Sequence, residues 1–458
     1  MIEIVPLDTP SLGDRSYLAT DGEVAVVVDP QRDVDRVLEL AGSHGVRITT
    51  VAETHVHNDY LSGGLVLARR VGARYLVSAE DDVAFERTPV RDGDVVESGR
   101  IRLRVLHTPG HTFTHLSYAL EDADDGVVGV FTGGSLLFGT TGRPDLFGDR
   151  HTVGLARRQY ASAHRLVAEL PAGTPLFPTH GFGSFCSVTP ASGTSSTLGR
   201  EAARNPVLTR DEETYVAELV AGLGAYPAYY AHMAPLNAAG PGPVDLTLPE
   251  PAEPEELRRR IDAGEWVVDL RQRRLFAAGH LPGTLNFGLD GTFLTHLGWL
   301  LPWGTPVTLL GRTAEDVATA QRELTRIGID RPAAVAAGTP ERWGPDQALA
   351  SFPRVGFADL ARVIEAGGAP AILDVRRAEE RRAAVLEGSL HLPLHELPGR
   401  LDEVPAGRPV WVHCAVGYRA AIAASLLDRA GRDVVLVDDD LHRARQLGLL
   451  AGGIRTAA

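Results

Sequence analysis

Thr54-His55-Val56-His57-Asn58-Asp59-Tyr60 sets two imidazoles two residues apart and a carboxylate beside them. On a turn at the end of a strand both rings can face one cation, because neutral imidazole nitrogen suits zinc, iron and related ions. His107-Thr108-Pro109-Gly110-His111-Thr112 and Thr179-His180-Gly181 place further histidines beside Gly or Pro. His55, His57, His111 and His180 are read together as metal-site residues, and His107 and His115 as structural or supporting ones. The far end of the chain offers a second chemistry, a thiol on the short loop Cys414-Ala415-Val416-Gly417-Tyr418-Arg419 just before a helix-like run. Backbone N–H groups and the helix dipole favour thiolate there, the form that attacks sulfane sulfur and then holds a persulfide anion. Arg419 closes the loop and is expected to bind an anionic donor such as thiosulfate.

These residues need elements to hold them. Glu23 to Val28 reads as a buried strand and Arg47 to Ala52 as an apolar strand-like run, Ile101 to Leu106 as an alternating strand, and Val127 to Thr132 as another. Val34 to Ala41 and Val153 to Leu170 carry helical spacing. The expectation is α/β, with sheets covered by helices and each histidine motif at a strand end.

At 458 residues the chain exceeds one core, and 44% hydrophobic with 23% charged residues is a globular balance. There is no lysine, so all 45 basic residues are arginine. Schiff-base and P-loop lysine chemistry are thereby excluded. The net charge of −14, with no basic block, argues against nucleic acid and anionic membranes as partners. Two cysteines far apart, Cys186 and Cys414, do not make a disulfide framework, and no uninterrupted apolar run could span a bilayer. A cytoplasmic location is expected, and homo-oligomer formation stays open.

Tyr226 to Glu256 is rich in Pro, Ala and Gly and marks a boundary. Beyond it the chain repeats itself. Trp266-Val267-Val268-Asp269-Leu270-Arg271 parallels Ala371-Ile372-Leu373-Asp374-Val375-Arg376, and Pro306 to Leu310 parallels Pro409 to His413. In register from the two prolines, Gly311 falls opposite Cys414 and Asp316 opposite Arg419. The first copy therefore lacks the thiol and carries an anion-repelling carboxylate. The expected organisation is a metal-site domain at 1–240, a linker at 241–249, an inactive copy at 250–347 and an active copy at 352–458.

The Thr-His-x-His-x-Asp motif, the His-Thr-Pro-Gly-His-Thr loop and the late Thr-His-Gly together resemble the metallo-β-lactamase superfamily. That resemblance implies an αββα sandwich with a metal at one sheet edge. Gly142-Arg143-Pro144-Asp145, Gly183-Ser184-Phe185-Cys186 and Ser196 to Glu201 with Asn205-Pro206 resemble the persulfide dioxygenases within it. Those enzymes use one iron and dioxygen to oxidise a thiol persulfide, of glutathione or coenzyme A, to sulfite. Two positions depart from the superfamily's hydrolases: Tyr60 stands where they carry a histidine, and Gly134, in Phe131-Thr132-Gly133-Gly134, where they carry an aspartate. A two-metal thioester hydrolase is thereby disfavoured. His55 and His111 match the dioxygenase ligands, but the carboxylate is gone. Three arrangements remain: His57 as third nitrogen to Fe(II) or zinc, water or Asp59 in the gap, or a relic domain without metal. His180, Arg143 and Cys186 are supporting candidates, with Cys186 open between inert packing and sulfur handling.

The second copy's Cys-x-x-Gly-x-Arg loop, following Asp-Val-Arg and Gly-Ser-x-His-x-Pro, resembles the rhodanese sulfurtransferases. The competing cysteine phosphatases resemble it less, their loop being one residue longer. The resemblance implies sulfane-sulfur transfer through a Cys414 persulfide, coupled to persulfide oxidation in the first domain. The alternative is a rhodanese whose metallo-β-lactamase-like domain serves binding or assembly.

Overall fold

The computed structural model describes residues 1–188 and 193–451, so the last residues of the expected 352–458 domain lie outside the described ones. The chain divides into two compact units, Met1–Asp245 with Thr325–Gly328, and Leu246–Leu324 with Ile329–Ala458.

The first unit is built on two sheets. Six strands run in sequence order, Glu3–Thr9, Asp14–Thr20, Val24–Val28, Arg47–Ala52, Arg74–Ser78 and Thr88–Val90, antiparallel at first and parallel from Val24–Val28 onward. The second sheet holds Val95–Ser98, Ile101–His107, Leu116–Asp122, Gly126–Gly133 and Leu176–Pro178. Val26 and Val28 pack with Leu103, Val105, Tyr118 and Phe131 of the other sheet, while Ala25 and Val27 pack under helices Asp35–His44 and Gly64–Val71. A strand covered on both faces must be apolar at every position, which is why the run reads Val24-Ala25-Val26-Val27-Val28. The helix Asp149–Glu169 covers the second sheet, with Ala156, Ala163 and Leu166 against Leu106, Ala119 and Val130. The result is the αββα layering expected.

In the second unit, two parallel sheets repeat one strand order. Leu285–Asn286, Trp266–Asp269, Val307–Gly311 and Ala334–Ala337 lie side by side, as do Leu390–His391, Ala371–Asp374, Val410–His413 and Val434–Val437. Arg354–Val355 adds a fifth strand to the second sheet, and in the first a single bridge from Pro251 to Val335 stands in its place. Each copy buries the same acid–base fork, Asp269 to Arg271 and Asp374 to Arg376, both at 2.6 Å. Each fork's arginine also reaches a carbonyl, of Gly279 or Ala384, and so ties the first strand to the chain beyond it. Among the described residues no helix is long and apolar enough to cross a membrane.

Candidate metal centre and sulfur-transfer loop

His55 and His57 follow the strand Arg47–Ala52, His111 follows Ile101–His107, and His180 follows Leu176–Pro178. The strand ends bring all four buried rings together. Ring centroids lie 4.8 Å apart for His55 and His111, and 5.3 Å for His180 with either.

The hydrogen bonds fix which nitrogen each ring turns inward. His111 Nδ1 donates to the carbonyl of Arg143 at 2.8 Å, which leaves Nε2 a lone pair with no partner. Thr54 gives its hydroxyl proton to Asp29 at 2.7 Å, so its oxygen accepts from His55 Nδ1 at 2.9 Å and His55 Nε2 is unprotonated. His180 Nδ1 donates to Asp14 at 2.9 Å and faces Asp59 at 3.1 Å, and its Nε2 meets His55 Nε2 at 3.3 Å. Three histidines are thus held at Nδ1 by a carbonyl, a hydroxyl and a carboxylate, the arrangement that orients metal ligands.

Burial drives these charges, and the neighbours decide them. Burial and the adjoining imidazoles push His55 well below its usual range, and burial with His180 takes His111 down to about 3, so both are neutral. Burial opposes charge on His180 too, but Asp59 and Asp14 outweigh it and keep the ring protonated. Its Nε2–H therefore donates to His55, and a cation held by both rings would replace that proton.

His57, expected as the third nitrogen, has its Nε2 among acids. It lies 3.3 Å from both Asp29 and Glu53 and 3.0 Å from the Tyr60 hydroxyl, while Nδ1 has no partner. Burial would lower it, yet the two carboxylates raise it to about 9. His57 belongs to two potential ligand groups, one with His55 and His180 and one with Asp29 and Glu53; a further group joins His111, His180 and Cys186. Within each, ligand atoms lie within 4.8 Å of one another. Asp59 faces His180 Nδ1.

Gly134 leaves no room for the missing carboxylate. A Cβ built there would come 2.2 Å from His111 Cδ2 and 2.9 Å from its Nε2. His115, read as supporting, accepts the Gly134 N–H at 3.0 Å and stacks on His55. Arg143 forks onto Asp145 with two bonds of 2.7 Å and reaches the carbonyls of Phe185 and Gly224, which fixes the carbonyl it offers His111. The Cys186 thiol is buried beside that centre, and burial with Asp59 pushes its pKa well up, so it is a neutral thiol.

Sequence reasoning did not find Asp29, the hub beneath these rings. It takes the Thr54 N–H at 2.7 Å and the hydroxyls of Thr54 and Thr179, and it is the non-glycine residue with positive φ (51°) among the described residues. Its place directly after an all-apolar strand was the available signal. Asp14 and Glu53 also escaped notice.

In the second unit, Cys414 follows Val410–His413 and precedes the helix Tyr418–Arg429. Gly417, at φ 89°, reverses the backbone so that its N–H points at Cys414 Sγ, 3.2 Å away. Cys414 is buried, whereas Val416 is exposed at the loop's tip. Arg419 does not face open space. It forks onto Glu380 at 2.6 and 2.7 Å, and burial, which would raise that carboxyl, is outweighed by Arg419, which lowers it to about 2. In the first copy, Asp316 Oδ2 accepts the N–H groups of Arg312 and Thr313 at 3.0 and 3.1 Å. That loop's own donors are filled by its own carboxylate.

The metallo-β-lactamase superfamily model matches residues 15–180, and the rhodanese-like domain model residues 357–443. The mitochondrial persulfide dioxygenase of Homo sapiens is 31% identical over 215 residues, 45% of this chain and 72% of the relative. A hydroxyacylglutathione hydrolase of Methylobacillus flagellatus is 31% identical over 182 residues, 39% of this chain and 66% of its own. A crystal structure of a metallo-β-lactamase from Staphylococcus aureus superposes with TM-score 0.65 at 28% identity, over 74% of this chain and 99% of that one. The chain belongs to the metallo-β-lactamase superfamily, as a homologue of the persulfide dioxygenases, and carries a rhodanese-like domain toward its C-terminal end.

Proposed function

We propose that this is a sulfur-metabolising enzyme with two chemistries, oxidation of a low-molecular-weight thiol persulfide in the first unit and sulfane-sulfur transfer at Cys414 in the second. The observation that carries the first half is the set of three buried histidines, His55, His111 and His180, each held at Nδ1, with the Nε2 atoms of His55 and His180 3.3 Å apart and ligand atoms of His111 and His180 within 4.8 Å of each other. Three imidazole nitrogens suit one ferrous ion, with zinc as the competing occupant. Without a histidine at Tyr60 or a carboxylate at Gly134, the ligands that the superfamily's hydrolases use for a second ion are missing, which speaks against thioester hydrolysis.

Iron held there would supply the one-electron chemistry that ground-state dioxygen requires. The overall reaction balances as RSSH + O2 + H2O giving RSH, sulfite and two protons. Asp14 and Asp59 orient His180, the Arg143 carbonyl orients His111, and burial keeps water from the centre. Cys186, a neutral thiol next to His111 and His180, is placed to contact the persulfide.

At Cys414 the thiolate attacks the outer sulfur of a persulfide R–S–S–H. The S–S bond breaks, RS⁻ leaves with its electron pair, and Cys–S–S–H remains, with the Gly417 N–H directed at the cysteine sulfur. Thiosulfate is an alternative donor, with sulfite leaving. We read residues 250–347 as a second rhodanese-like domain without this activity, on the shared strand order and the Asp316 carboxylate in its loop.

The deciding experiment measures iron in anaerobically purified protein alongside oxygen uptake with glutathione persulfide or coenzyme A persulfide. About one iron per chain with persulfide-dependent uptake is the expected result. Iron below a tenth of an equivalent, with no uptake after loading, would leave the alternative, a rhodanese with a metal-free binding domain; the close fit of His111 over Gly134 is the feature that favours it.

A further inference from the structure

The copy that lacks a thiol closes around the loop that has one. Tyr418 is buried and sends its hydroxyl to the carbonyl of Gly288 at 2.8 Å. Its ring lies so close over Gly291 that a Cβ there would come within 2.4 Å, and the ring of His296 meets it at 5.8 Å. Arg273 bonds Asp438 at 2.6 Å, and that carboxylate lies against Gly417, whose added Cβ would stand 2.1 Å from Oδ1. Trp299 stacks on His395 of the second copy, ring centroids 4.8 Å apart and planes 22° from parallel. His296 and Trp299 are three residues apart on the helix Phe293–Leu300, so they share one face.

Charge around the loop is balanced. Arg419 forks onto Glu380, Arg377 meets Glu379 and Glu380 at 3.1 and 3.2 Å, and Arg273 is divided between Asp438 and Asp290. Besides the paired charges of Arg273 and Asp290, the first copy adds aromatic, neutral groups. His296 Nδ1 lies 3.0 Å from the carbonyl of Thr292, which can only accept, so Nδ1 carries the proton and Nε2 is an acceptor. Burial pushes this ring down to about 4, which keeps it uncharged.

We infer that His296 and Trp299 determine specificity at Cys414, by holding the uncharged, amide-bearing organic part of the thiol that brings or removes sulfane sulfur. The inference rests on Cys414 as the sulfur carrier. A ring stack and a lone acceptor reward apolar surface and N–H donors. Thiosulfate offers neither, and the loop's cation is already neutralised by Glu380.

The test is steady-state sulfur transfer by the full chain carrying Trp299→Ala or His296→Ala, with glutathione persulfide and thiosulfate as alternative donors and cyanide as acceptor. The expected result is a KM ratio, organic over inorganic donor, that rises roughly fivefold to tenfold, and that Trp299→Phe largely restores. An unmoved ratio overturns the inference. Should Trp299→Ala fail to fold, Trp299→Phe and His296→Gln decide by the same ratio. Mass spectrometry of the alkylated wild-type protein reports the Cys414 persulfide separately. Its absence overturns the carrier reading itself, a failure distinct from an unmoved ratio.

Discussion

The imidazole of His111 fills the space a side chain at Gly134 would take, with Cδ2 2.2 Å from a Cβ built there. One methyl group therefore cannot be added without moving a candidate ligand. Gly134→Ala is expected to lower stability by about 1–3 kcal/mol through overpacking and to lower iron occupancy with it. Thermal denaturation and anaerobic metal analysis check both; unchanged occupancy would mean that His111 holds no metal.

Removing His180 is expected to weaken iron binding more than removing His57, because His180 belongs to three potential ligand groups, while His57 belongs to two and its Nε2 lies among acids. Asp14→Asn, which leaves every ring in place, is expected to cost roughly 10–100-fold in affinity. Anaerobic iron titration of the three variants gives the order. A His57→Ala loss exceeding that of His180→Ala would restore His57 as the third nitrogen.

Cys414→Ser is expected to abolish sulfur transfer to cyanide, while persulfide-dependent oxygen uptake persists. Transfer that survives this substitution would remove Cys414 as the nucleophile.

Glu380 and Arg419 couple stability to acid. The Glu380 carboxyl falls from a usual 4.5 to about 2 in the folded chain, so its contribution is fully present above the unfolded value of 4.5 and is lost as pH falls toward 2. Partial exposure reduces it to about 1–2 kcal/mol. Denaturation curves between pH 6 and pH 2.5 should show a loss in the wild type that Glu380→Gln lacks. Parallel curves would mean the pair contributes nothing.

Asp374→Ala strands the buried Arg376 guanidinium and is expected to cost about 3–5 kcal/mol. Asp269→Ala should cost a similar amount in the copy without a thiol, since the fork is the same. Urea denaturation distinguishes this from a catalytic role, which would make only Asp374 costly.

Strands, strand-end histidines and the duplicated Asp-x-Arg units were legible because each is written locally, in alternation or short spacing. Asp14 as the partner of His180 was not, being 166 residues away, and neither was Glu380 as the partner of Arg419, 39 residues away. An isolated acid in a loop has no periodicity to announce its pairing. The surroundings of His57 were not legible for a related reason: the spacing of His55 and His57 shows that both can point one way, while nothing in it marks the acids 3.3 Å from His57 Nε2, Glu53 four residues before it and Asp29 from another strand end.

The Asp316 carboxylate makes the thiol-free loop a receptor that carries its own ligand. Because that carboxylate is tethered four residues from the N–H group it occupies, it competes at an effective concentration that no dissolved anion matches. Tethering turns a would-be binding site into a permanent internal cap.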